Sequence, residues 1–152
     1  MVFHLVSKFT QDHEVLCAAI LHDVIEDTDT QEEELLQVFG QRVTSLVNLL
    51  SENKELPYMQ RKEEYFDRLI GSGDTNVWLI KSADILYNLC DVKFSLHHSD
   101  RDSVDTMFNN GFDTYLSFSD MKIRRLEEAW SENPFIPELK ETLEELKSLL
   151  VV

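Results

Sequence analysis

The residues able to do chemistry stand in two places. His22-Asp23 closes a run of small apolar residues, Glu26 and Asp27 follow within the next turn, and Asp84 sits alone inside a second apolar segment. An imidazole and carboxylates at the end of a buried stretch are costly to desolvate unless a cation is paired with them. If residues 13–25 are helical, His22 faces Glu26 and Asp23 faces Asp27, four positions apart. The pattern reads as a divalent-metal site with acid/base carboxylates beside it. The bland alternative is an exposed helix end with a charged tip. The apolar lead-in of Val15, Leu16, Ala18, Ala19, Ile20 and Leu21 argues for burial instead.

His22, Asp23 and Asp84 together offer one nitrogen and two oxygen ligands. That mixture suits Mn²⁺ or Fe²⁺ better than an all-oxygen Mg²⁺ or Ca²⁺ site. Adjacent residues on a helix project about 100° apart. They can share one ion only above the ridge between them, with a second helix supplying the opposite ligand. Asp84, in the other dense apolar segment, is the candidate for that ligand.

The elements that must position these groups read as helices. Only 4 Gly and 3 Pro interrupt 152 residues, which favours an all-α chain. Residues 2–9 look like the end of a helix, and Thr10 or Asp12 can cap the next. The helix over 13–25 is apolar on almost all sides and is expected to be the central core helix. Thr30 with Glu33 suggests a capping box for a helix over 31–39, which Gly40 ends. Further helices are expected over 41–51 and 59–70, then Asn76–Leu96 as the second core segment, after the break at Gly71-Ser72-Gly73-Asp74. One or two helices over 103–130, broken near Asn109-Asn110-Gly111, and a last one over 137–150 complete the reading.

A length of 152 residues fits one domain with a sizeable core, and 43% hydrophobic residues make the chain globular. The formal net charge of −15 disfavours a nucleic-acid backbone as partner. If the substrate is a phosphate ester, a metal and a local group of Lys and Arg must reverse the sign at the site. No apolar run is long enough to span a bilayer and no signal peptide is seen, so the chain reads as cytoplasmic with no membrane partner. Cys17 and Cys90 both lie in apolar helical contexts and are expected to be buried, reduced thiols.

Four stretches resemble the HD superfamily of metal-dependent phosphohydrolases. The closest branch is the hydrolase domain of RelA/SpoT-type enzymes and their small stand-alone relatives, which remove the 3′-pyrophosphate of (p)ppGpp. AAILHDVIEDTDT at 18–30 is similar to that branch's His-Asp and Glu-Asp signature, and KSADILYNLCDV at 81–92 to its Lys-x-Ala-Asp-x-x-x-Asn segment. FGQRVTSLV at 39–47 and ENKELPYMQRKEEY at 52–65 resemble the stretches between. The likeness covers about residues 1–130, and the gap of 62 residues from His22 to Asp84 is typical of the branch.

The resemblance implies an all-α bundle, here a single HD-type domain over 1–152, with the site at its centre. His22, Asp23 and Asp84 match metal ligands, with Mn²⁺ the implied ion and Fe²⁺ the alternative. Glu26 and Asp27 match the pair that orients and deprotonates the attacking water. Asn88 matches a nucleotide-contacting residue, Tyr87 often lines that pocket, and Lys54, Arg61 and Lys62 fall where basic residues meet phosphates. The family's further ligand histidine would fall before Met1, as would an Arg-x-x-Gly-x-Pro-Tyr-Ile segment. The chain is thus expected to lack the family's N-terminal helix and first ligand histidine. His4 lies off the presumed site face, and His13, His97 and His98 read as surface residues.

The function implied is hydrolysis of (p)ppGpp to GDP or GTP and pyrophosphate, with a small-molecule nucleotide as partner and a homo-oligomer compatible with the sequence. Two alternatives stand beside it. One is an HD phosphohydrolase for another nucleotide or a phosphate monoester. The other is a catalytically silent regulatory or binding module that keeps the fold with an incomplete metal site.

Overall fold

Asp12 begins the first substantial helix as a polar cap: its Oδ1 accepts from the N–H groups of Glu14 and Val15 at 3.0 and 3.4 Å. In the computed structural model, which describes residues 1–98, 108 and 111–149, the described residues form helices and their connections, with no strand among them. The helices are α1 (Val2–Val6), α2 (His13–Leu21), α3 (Val24–Asp27), α4 (Glu32–Leu50), α5 (Tyr58–Gly71), α6 (Thr75–His98), α7 (Phe112–Ala129) and α8 (Ile136–Ser148). The all-α expectation holds. Among the described residues no helix is long and apolar enough to cross a membrane. The chain forms two compact units, Met1–Lys81 and Ser82–Val152, with the boundary inside α6.

In the first unit α1 packs on α2, α2 and α3 pack on α4, and α4 packs on α5. The expected central helix is shorter and less enclosed than its composition suggested. Val15, Ala18 and Ala19 are buried, while Ile20 is 62% exposed. The buried stripe follows the i, i+3, i+4 spacing, and Ile20 falls outside it. The bulk of the core comes from Val43, Leu46 and Val47 of α4, Tyr65, Phe66 and Leu69 of α5, and Val77 and Ile80 of α6. The Trp78 indole N–H donates to the Leu69 carbonyl at 3.0 Å, so this buried ring keeps its polar atom satisfied.

The capping box before α4 is displaced by one residue from the expected Thr30 and Glu33. The Gln31 N–H donates to the Glu34 carboxylate at 3.0 Å. Thr30 instead belongs to the turn before it: its N–H donates to the Thr28 hydroxyl oxygen at 3.1 Å, and that hydroxyl donates to the Val24 carbonyl at 2.6 Å. Gly40 interrupts α4 as expected, bending it with φ +81° and ψ 174°, a region essentially reserved for glycine. Beyond the bend, the Thr44 hydroxyl donates to the Gly40 carbonyl at 2.9 Å.

The carboxyl end of α4 is closed from α5. Arg68 donates from its two terminal nitrogens to the carbonyls of Asn48 and Ser51 at 2.9 and 2.7 Å, and from Nε to Glu64 at 3.0 Å. A planar fork bridges two helix-end carbonyls, of which that of Asn48 also accepts from the Ser51 N–H at 3.2 Å.

In the second unit α7 packs on α8. Asn133, nearly fully buried, donates to the Ser82 hydroxyl at 2.8 Å and accepts from the Phe135 N–H at 3.1 Å. Leu139, Leu143 and Leu146 form the buried stripe of α8, as the periodicity predicts. The expected helical start at 103 and the break at Asn109-Asn110 lie outside the described residues; Gly111, at φ +80°, precedes α7. The expectation of two buried thiols is corrected: Cys17 is half-buried and Cys90 exposed, both free. Leu89 takes the inward position on α6, which turns its neighbour Cys90 outward. His13, His97 and His98 are exposed, as expected, and His4 is exposed as well.

Arg68→Ala is expected to lower unfolding stability by about 2 kcal/mol, the scale of charge-assisted hydrogen bonds. Arg68→Lys is expected to recover only part of that, since an ammonium cannot reproduce the fork. Urea denaturation of both variants measures it. An Arg68→Ala midpoint equal to that of the unsubstituted chain would contradict the clamp.

Candidate active site

The apolar run of α2 stops at Leu21, and the chain does not continue as one helix to residue 25. His22 closes α2, Asp23 takes φ −102° and ψ 0°, and α3 starts anew at Val24. The expected facing of His22 with Glu26 and of Asp23 with Asp27 assumed an unbroken helix. The break replaces it: Asp23 becomes the cap residue whose carbonyl accepts from the N–H groups of Glu26 and Asp27 at 3.0 and 2.9 Å. Asp23 and Asp27 are exposed, and His22 and Glu26 are partly buried.

His22 lies against Asp23. The imidazole Nδ1 lies 3.0 Å from the Ala19 carbonyl, and Nε2 lies 2.9 Å from Asp23 Oδ2. A carbonyl can only accept, so Nδ1 carries the hydrogen. In the neutral ring Nε2 then presents a lone pair to a carboxylate oxygen, a repulsive contact. It becomes favourable only with positive charge between the two atoms, either a proton on Nε2 or a cation bound by both. A histidine whose Nδ1–H is fixed by a backbone carbonyl is the usual form of a metal ligand. The donor chemistry of this pair therefore fits a divalent transition metal.

Glu26 is tied to the loop between α4 and α5. Its Oε1 accepts from the Glu52 N–H at 2.9 Å, and the Lys54 ammonium donates to its backbone carbonyl. Burial pushes the Glu26 carboxyl above its ordinary value. The Glu52 N–H opposes that shift, the Glu52 and Asp23 charges add to it, and the Lys81 charge opposes it. A carboxylate made more basic in this way is suited to accept a proton.

Lys54, Arg61 and Lys62, expected from the sequence near phosphates, gather around the same loop. The two carboxylate oxygens of Glu52 contact Arg61 Nε at 3.1 Å and Lys62 Nζ at 2.5 Å. The Arg61 guanidinium and the Lys62 ammonium each lie 5.5 Å from the centre of the Tyr58 ring. The first unit thus links Glu26, Arg61 and Lys62 through Glu52, with Lys54 on the Glu26 carbonyl.

In the second unit, Asp84 is 8% exposed and its Oδ1 accepts from the Asn88 side-chain amide at 3.0 Å. Asn88 and Tyr87 are exposed on α6. The Tyr115 phenol is pushed up to about 12, chiefly by burial, with the charges of Asp84 and Asp91 adding to the effect. It stays a neutral hydroxyl at physiological pH. Among the described residues, no group of three or more His, Cys, Asp or Glu side chains is placed to hold a metal ion.

Sequence reasoning missed Glu52, Lys81 and Tyr115. Glu52 gave little signal, because part of its role belongs to its backbone N–H. Lys81 was legible: a lysine inside an apolar run needs a reason, and its ammonium lies 5.1 Å from the Tyr65 ring centre while its charge bears on Glu26.

Comparison with known proteins follows the same residues. The model of the HD domain family matches residues 1–115. The guanosine-3′,5′-bis(diphosphate) 3′-pyrophosphohydrolase MESH1 of Danio rerio is 42% identical over 81 residues, 53% of this chain and 44% of that protein. The chain spans less than half the length of such curated relatives. The crystal structure of lmo0812 from Listeria monocytogenes aligns with a TM-score of 0.82 at 27% identity, covering 95% of both chains. A metazoan ortholog of SpoT that hydrolyzes ppGpp and plays a role in starvation responses aligns with a TM-score of 0.75 at 26% identity, covering 97% of this chain and 78% of that one.

Because Lys81 opposes the upward shift of Glu26, Lys81→Met is expected to raise the Glu26 carboxyl further. Carbon-detected NMR titration of the metal-free protein reads this directly. An unchanged or lowered Glu26 midpoint would contradict the electrostatic link.

Proposed function

The chain belongs to the HD-domain family, and on that premise we propose that it hydrolyses the 3′-pyrophosphate of (p)ppGpp, giving GDP or GTP and pyrophosphate. The observation that carries the reading is the Glu26–Glu52 connection: a carboxylate made more basic by burial, tied to the loop residue that also holds two cations. The relatives named for this reaction, alike in sequence and in fold, support it.

We assign His22, Asp23 and Asp84 as the ligands of a divalent ion, Mn²⁺ in preference to Fe²⁺. The set is read from the sequence motif, and the His22–Asp23 contact supports its first two members. When bound, the ion supplies positive charge that acidifies an attacking water and offsets charge developing on the phosphoryl oxygens. Glu26 accepts the proton of that water as general base, held toward it by the Glu52 N–H. Asp27, on the same turn, orients the water. Lys54, Arg61 and Lys62 meet the pyrophosphate group and supply the positive charge that an anionic chain otherwise lacks. Asn88 and Tyr87, exposed on α6, contact the nucleoside. The bond broken joins the ribose 3′-oxygen to phosphorus; the oxygen leaves with a proton and the water oxygen ends on pyrophosphate.

The partner in this reading is a small nucleotide in the cytoplasm. A net charge of −15 opposes a nucleic-acid backbone.

Incubation of the protein with ppGpp and Mn²⁺ is expected to release GDP and pyrophosphate in equal amounts, with release stopped by EDTA. Asp84→Ala is expected to lower kcat at least a hundredfold. Full activity of that variant would exclude Asp84 as a ligand, and no turnover by the unsubstituted chain at any Mn²⁺ concentration would refute the reaction.

A further inference from the structure

The loop between α4 and α5 contains a residue with two separate attachments. The Glu52 N–H donates to Glu26 Oε1 at 2.9 Å, and the Glu52 carboxylate contacts Arg61 and Lys62. The relative depth of these groups decides what the carboxylate does. The Glu52 side chain is 12% exposed, while Arg61 and Lys62 are each 23% exposed. The carboxylate is therefore the more enclosed member of the trio, and the cations are the more accessible ones. An anion standing in for substrate phosphate would be expected on the accessible side of the cations, not as the most enclosed group.

Nor is the geometry that of an incidental surface ion pair. Arg61 and Lys62 are consecutive, and consecutive side chains on a helix diverge by about 100°. Left alone on α5 they would point apart. Here both converge on one carboxylate and on one ring, that of Tyr58, each at 5.5 Å from its centre. Tyr58 lies three and four positions before them, so it is their neighbour on the helix face. One anion below and one aromatic ring beside hold two diverging cations together.

We infer that Glu52 is a positioning residue: its carboxylate holds Arg61 and Lys62 as a fixed pair for the pyrophosphate group, while its backbone N–H sets the Glu26 carboxylate against the same loop. The inference rests on the assignment of Arg61 and Lys62 to phosphate under the proposed function. It goes beyond that assignment by naming the group that makes the pair. Preorganised cations bind an anion without the ordering cost of two long side chains. The opposing effect is electrostatic: Glu52 also carries a charge of the same sign as the ligand. The sign of the change on neutralising it separates the two effects.

The test is calorimetric titration of inorganic pyrophosphate into the full chain in EDTA, so that neither metal nor turnover is needed. Glu52→Gln is expected to weaken binding at least fivefold while leaving the backbone N–H to Glu26 intact. Arg61→Gln is expected to weaken it similarly. The double variant should be weaker than Arg61→Gln alone by less than the full Glu52→Gln factor, because Glu52 acts in part through Arg61. A thermal melt of each variant confirms folding, and Glu52→Asp, which keeps the charge, serves if Glu52→Gln does not fold; it should bind within threefold of the unsubstituted chain. In steady-state turnover of ppGpp, the Glu52→Gln defect should fall on KM more than on kcat. Equal or tighter pyrophosphate binding by Glu52→Gln, fully additive losses in the double variant, or no binding by the unsubstituted chain would each overturn the inference. Intact pyrophosphate binding without ppGpp turnover would instead overturn the proposed reaction and leave Glu52 in its role.

Discussion

The contact between His22 Nε2 and Asp23 Oδ2, 2.9 Å apart, is the constraint on which the rest of this structure turns. With Nδ1 committed to the Ala19 carbonyl, the two facing atoms repel unless positive charge lies between them. His22 keeps helical angles, φ −54° and ψ −32°, and the chain leaves the helix at Asp23, with φ −102° and ψ 0°. The same break turns the Asp23 carbonyl toward the N–H groups of Glu26 and Asp27. An imidazole nitrogen and a carboxylate oxygen thus stand side by side just before a new turn that carries Glu26 and Asp27.

Around that turn the first unit solves an electrostatic problem posed by its own composition. A chain with 29 acidic and 14 basic residues repels phosphates in general. Three of its cations are nevertheless drawn to one loop, where Glu52 contacts Arg61 and Lys62 and Lys54 reaches the Glu26 backbone. Glu26 itself is left more basic by burial than an exposed carboxylate, with Lys81 limiting the shift. Arg61, Lys62 and Glu26 are thus not independent features. They share Glu52 as a common support, while Arg68 closes the helix end just before it.

Much of the fold was legible because helical periodicity and punctuation are local. Asp12 caps α2, Gly40 bends α4, the glycines at 71 and 73 mark a break, and Leu139, Leu143 and Leu146 form a buried stripe, all as the residue types require. What failed were inferences that extended a local rule too far. An apolar run from Val15 to Leu21 suggested a helix buried all round and continuing to residue 25, yet Ile20 faces outward and the helix stops at Leu21. The capping box slid from Thr30 to Gln31, with Thr30 held in the preceding turn by its N–H bond to the Thr28 hydroxyl. The candidate site shows the same division. Residue types singled out His22, Asp23, Glu26, Asp27 and Asp84 as candidates, since imidazoles and carboxylates in apolar sequence need explanation. Glu52 stayed hidden because a backbone N–H has no residue type, and a glutamate in a polar loop looks like any solvated charge.

The central claim is that His22 and Asp23 share a divalent cation. Anomalous diffraction above the Mn K-edge, on crystals grown with Mn²⁺, tests it most directly. The account predicts a strong peak within coordination distance of both His22 Nε2 and the Asp23 carboxylate. A Mn²⁺-saturated crystal with no peak there, and His22 Nε2 still against Asp23 as a simple imidazolium–carboxylate pair, would contradict it.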